Sequence, residues 1–70
     1  MNEKYKEVVI PNSVEVIYTV LRTHERYDGE VVAECKMVAN NITTKGIVEN
    51  DCGICDGIAS SVFKKFKRIN

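Results

Sequence analysis

Seventy residues, 44% of them apolar and 29% charged, allow one small globular domain and argue against a disordered chain. Ten basic and ten acidic residues cancel, which removes any general attraction to nucleic acid or an anionic membrane. No apolar stretch has the length of a signal peptide or a bilayer span, and an odd number of cysteines, three, argues against a secreted disulfide framework.

One domain is expected over residues 1–70, with the polar residues 1–6 frayed. Val8-Val9-Ile10 reads as a short edge strand stopped by Pro11-Asn12-Ser13, because proline cannot donate to a central ladder. Residues 14–27 read as a long strand. Val14, Val16, Tyr18 and Val20 share one face at period two, and Ile17 and Leu21 share the other. Asp28-Gly29 suits a two-residue hairpin loop, and residues 30–39 then form the return strand. That loop sets Tyr27 opposite Glu30, Arg22 opposite Cys35 and Val20 opposite Met37. It gathers Val16, Tyr18, Val20, Cys35, Met37 and Ala39 on one apolar face.

Asn40-Asn41 is expected to turn the chain into a third strand over residues 42–49, in which Gly46 marks a bulge. Asn50-Asp51 would cap a helix. Cys55, Ile58, Ala59, Val62, Phe63, Phe66 and Ile69 recur at spacings of three and four, as the buried stripe of an amphipathic helix does. Lys64, Lys65, Lys67 and Arg68 would close its last turns, where cations suit the helix dipole. The expected fold is α+β: a three- or four-stranded antiparallel sheet, a long hairpin plus flanking strands, packed on one face by this C-terminal helix. The uncovered face, with Ile17, Leu21, Val32, Val38 and Ile47, is a candidate oligomer surface.

Three groups of residues invite chemistry. Cys52-Gly53-Ile54-Cys55 has the CxxC spacing, and over these four residues it resembles the redox motif of thioredoxin-like proteins. A helix N-terminus would favour its thiolate, but Asp51 and Asp56 flank it, and the one proline of the chain, Pro11, lies far upstream. A structural zinc site needs four ligands, and one chain offers one cysteine pair with only Cys35 and His24 besides. Cys35 and Cys55 therefore read as small buried apolar residues.

Arg22, His24 and Arg26 alternate along one strand toward the hairpin tip, with Tyr27 beside them. Such a row could hold an anion, or its arginines could pair with Glu25, Glu30 or Glu34. The run Lys64 to Arg68 reads as a solvated helix end. Strand-strand-strand-helix order is similar to the end of double-stranded-RNA-binding domains. The basic cluster that opens their last helix is replaced here by the acidic stretch Asp51–Asp56, so no family is assigned.

Nothing in the sequence marks a catalytic constellation, a metal site or a cofactor. The expectation is a cytoplasmic, non-enzymatic interaction module, a homo-oligomer that binds another protein without membrane contact, in the manner of the small accessory or inhibitory proteins that mobile elements carry. The runner-up is an anion or nucleic-acid binder using Arg22, His24, Arg26 and Tyr27. A thiol-redox or metal-binding CxxC protein comes third.

Overall fold

A computed structural model describes residues 2–70. Five antiparallel strands, β1 (Lys4–Ile10), β2 (Val14–Glu25), β3 (Val31–Thr43), β4 (Gly46–Ala59) and β5 (Lys67–Arg68), form one sheet in the order β4-β3-β2-β1-β5. Among the described residues a single 3-10 helix, Ser60–Lys65, bridges β4 and β5. The C-terminus closes on β1, where the Ile69 amide donates to the Lys4 carbonyl at 3.0 Å.

The α+β expectation is corrected on this point. There is no α-helix among the described residues, and the domain is nearly all β. Residues 50–59, expected to open the helix, continue β4. Phe63 still covers the sheet, but from the 3-10 helix. Lys64 and Lys65 end that helix, and Lys67 and Arg68 form β5. Two glycines, each costing about 1 kcal/mol in a helix, stand where the helix was expected to start.

Each turn has a local cause. Ile10-Pro11-Asn12-Ser13 is a tight turn in which the Ser13 amide donates to the Ile10 carbonyl at 3.0 Å. Proline presets the second position and Asn12, at φ 61°, takes the left-handed third, the type II pattern. The β2–β3 loop has three residues, not two. The Gly29 amide donates to Arg26 O at 2.9 Å, the Arg26 amide donates to Glu30 O at 2.8 Å, and Gly29 sits at φ 88°. Asn40-Asn41 is not a turn: both lie inside β3, and the chain reverses at Thr44-Lys45, between Thr43 and Gly46.

The three-residue loop moves the hairpin register by one residue, and a bulge at Leu21 moves it by one more. Near the tip Arg22 pairs with Glu34 and His24 with Val32; beyond the bulge Val20 pairs with Cys35, Tyr18 with Met37 and Val16 with Ala39. Two single shifts restore the original parity. The apolar face expected for Val16, Tyr18 and Val20 with Cys35, Met37 and Ala39 therefore forms, although every expected partner has changed.

That face carries the core. Tyr18, Ala33, Cys35 and Phe63 are buried together, with Tyr5, Val16, Val20, Met37, Ile58 and Phe66 packed around them. Four aromatic rings form the lid. Tyr5 stacks on Phe63 at 4.8 Å and Tyr18 on Phe66 at 5.2 Å, while Phe63 meets Tyr18 and Phe66 edge-on, each at 5.9 Å. The lid is short and the sheet is long: the chain measures 46 × 21 × 20 Å. Its radius of gyration, 13.1 Å, exceeds the roughly 11 Å of a compact chain of this length.

Candidate interaction surfaces

The bulge at Leu21 decides the fate of the Arg/His row. It turns Arg22 and His24 away from the face of Val20 and toward that of Val32 and Glu34. There both side chains find carboxylate partners. Arg22 Nε lies 3.3 Å from Glu34 Oε1, and His24 Nε2 lies 3.5 Å from Asp56 Oδ1. Arg26 reaches toward Gly57, and Tyr27 stands free in solvent at the loop. The four residues expected as one binding row are thus split between an Arg22–Glu34 ion pair, a His24–Asp56 contact and an exposed tip. Glu34 was expected as an arginine partner; Asp56 was not, because it was assigned to a helix.

The expected oligomer face is also divided. Ile17 and Val38 are paired neighbours, half-buried. Val32 is only 1% exposed within the single chain, Leu21 occupies the bulge, and Ile47 lies at the far end, 61% exposed. Lys6 and Glu15 form an ion pair at 3.1 Å, with Lys6 paired to Ile17 and Glu15 two residues before Ile17 in β2.

Cys52 and Cys55 lie in a strand, so no helix N-terminus acts on them. Cys52 occupies a bulge between the pairs Val38–Asp51 and Met37–Gly53. Cys55 is exposed and pairs with Cys35, which is fully buried. Burial, more than the neighbouring Cys55 and Glu34 charges, raises the Cys35 pKa and keeps it a thiol.

Sequence reasoning missed the main surface feature, the outer edge of β4. Among the described residues this strand is hydrogen-bonded to β3 alone. Every residue from Gly46 to Gly57 is exposed, and the strand carries Glu49, Asp51 and Asp56 with no lysine or arginine. Its pairing with β3 is regular from Gly46 to Asp51 and bulged at Cys52 and at Asp56-Gly57. Gly53 (φ 81°) and Gly57 (φ 86°) supply the left-handed backbone there, and Asp51 and Asp56 each accept the following glycine's amide, at 2.8 and 2.7 Å. The repeated Asp, Gly and Ile in Asp51-Cys52-Gly53-Ile54 and Cys55-Asp56-Gly57-Ile58 was the available signal.

No cavity opens among the described residues, and none of their helices is long and apolar enough to cross a membrane. No protein-family model matches the sequence, and no curated protein or solved structure shows significant similarity to it.

Proposed function

We propose that this chain is a non-enzymatic, cytoplasmic interaction module that binds another protein by accepting one of its extended segments along the edge of β4. The observation that supports this reading is the open, regular stretch Gly46–Asp51. An unpaired strand edge offers a row of backbone donors and acceptors, the template used in strand addition. Its exposed Ile47 and Val48 give side-chain contacts, and Glu49 and Asp51 favour a basic segment. The bulges at Cys52 and Gly57 twist the rest of the strand and limit the template to that stretch.

A nucleic-acid reading through Arg22, His24, Arg26 and Tyr27 has less support, because the carboxylates of Glu34 and Asp56 already face Arg22 and His24. A thiolate-based reading of Cys52 and Cys55 loses its helix N-terminus.

The test is affinity capture from the native extract after nuclease treatment, followed by hydrogen exchange on the reconstituted complex. Protection of amides in 46–51 is the expected result. A partner lost on nuclease treatment, or protection confined to the hairpin tip, overturns the reading.

A further inference from the structure

We propose that the end of the core face left bare by the aromatic lid is the seat of a second copy of this chain, packed face to face about a two-fold axis. The lid, made by Tyr5, Tyr18, Phe63 and Phe66, closes over Cys35, with Met37 packed beside it. Beyond it the same face continues as two cross-strand rows, Glu7–Val16–Ala39–Asn50 and Ile10–Val14–Asn41–Val48. No described element lies over the outer row, where Ile10 is 51% and Val48 52% exposed. Val16 is already packed against the core, so the bare patch extends that core and is not a separate island.

Three observations identify the occupant as a second copy. First, the outer two rows carry one charge, that of Glu7, which already accepts the Tyr18 hydroxyl. A mostly apolar surface whose one carboxylate is already hydrogen-bonded can meet its own copy, as an isologous two-fold interface requires. The opposite face at the same end alternates its apolar residues with Glu15, Glu49 and Asp51. Second, the net charge is zero, so no long-range repulsion opposes self-association. Third, the area fits. A folded chain of 7.9 kDa exposes about 4,400 Å², whereas this one exposes 5011 Å². The excess of roughly 600 Å², spread over an elongated chain of which this bare end is one part, is of the order of the ~800 Å² that each partner contributes to a standard interface. Face-to-face packing uses the side chain of Val48 and leaves the backbone edge of β4 open, so the two readings share Val48 and separate at Ile47, which strand addition uses and the face-to-face dimer does not.

Sedimentation of the purified chain alone, from low to high micromolar concentration, tests it. The wild type is expected to be a dimer. Val48→Glu is expected to be a monomer with unchanged far-ultraviolet circular dichroism, while Ile47→Glu, one residue away on the opposite face, remains dimeric. Val48→Thr, nearly isosteric, is expected to weaken the dimer by about tenfold, equivalent to 1.4 kcal/mol. If Val48→Glu fails to fold, Val48→Thr decides, and an unchanged dissociation constant overturns the proposal. A wild type that stays monomeric throughout overturns it too. So does a dimer broken by Ile47→Glu and not by the Val48 variants. Capture experiments on the β4 edge read a different protein and fail separately.

Discussion

The Tyr18 hydroxyl donates a 2.6 Å hydrogen bond to Glu7 Oε1, tying β2 to β1 beneath the aromatic lid. Burial of the ring, then the hydrogen bond and charge of Glu7, raise the Tyr18 pKa well above its ordinary value. The folded state therefore holds this proton where the unfolded chain, near pH 10, releases it. The resulting stability is complete below about pH 10 and is lost as pH climbs toward the folded value, at up to ~1.4 kcal/mol per pH unit. In urea unfolding, the wild type is expected to lose more stability between neutral pH and pH 11 than Tyr18→Phe does. At neutral pH Tyr18→Phe is expected to be the less stable, by about 1.5–3 kcal/mol, the worth of a hydrogen bond to a charged group. Parallel pH curves for the two proteins would show that the bond carries no such linkage.

Phe63 is the buried centre of the lid, in contact with three other rings. Truncating a buried phenylalanine costs about 3–5 kcal/mol. The whole stability of a 70-residue chain is about 3.5–10 kcal/mol. Phe63→Ala is expected to abolish cooperative thermal unfolding or lower its midpoint by tens of degrees. Phe66→Ala, at a partly exposed position, is expected to cost less. Equal costs would contradict the central place of Phe63.

Cys35 and Cys55 are direct partners across β3 and β4. Antiparallel partners have Cα atoms about 4.5–5.5 Å apart, inside the range a disulfide spans. Cys52 and Cys55 lie along one strand, roughly 10 Å apart when extended, beyond that range. With glutathione disulfide as oxidant, the exposed Cys55 thiolate attacks one sulfur and releases a glutathione thiol. Cys35 then displaces the second, so two protein thiols are oxidised as one disulfide is reduced. Mass spectrometry is expected to find a Cys35–Cys55 bridge that survives Cys52→Ser and disappears in Cys55→Ser. A Cys52–Cys55 bridge as the main product would contradict the register.

The hairpin was legible because alternation survives a shift of two. Val16, Tyr18 and Val20 met Cys35, Met37 and Ala39 on one face although loop length and bulge both differed from expectation. The tip was not legible, since nothing in the sequence marks Leu21 as the extra residue, and that residue alone sends Arg22 and His24 to the other side. The helix was misread for a related reason. Cys55 and Ile58 both lie on the core face, pairing with Cys35 and Ala33, because the bulge at Asp56-Gly57 stretches the strand period from two to three at that point. Phe63 and Phe66, also three apart, come from the 3-10 helix and the residue after it. A bulged strand followed by a 3-10 turn thus reproduces the spacing of an amphipathic helix. The open β4 edge was hidden with it.

The same two glycines separate the two folds by the sign of a substitution. In a helix over residues 50–59, Gly53→Ala and Gly57→Ala would each stabilise by about 1 kcal/mol, the difference in propensity. In the bulged strand both positions have positive φ, and a Cβ there costs about 1–2 kcal/mol. At Gly53 a Cβ meets nothing within 4 Å, so backbone strain is the whole effect; at Gly57 it approaches the Arg26 guanidinium at 3.7 Å, an ordinary contact. Both variants are expected to unfold at lower urea concentration than the wild type. The double variant is expected to lose about 2–4 kcal/mol, the two strains adding, with no gain in helical circular dichroism. A more stable double variant would return residues 50–59 to the helix that their spacing imitates.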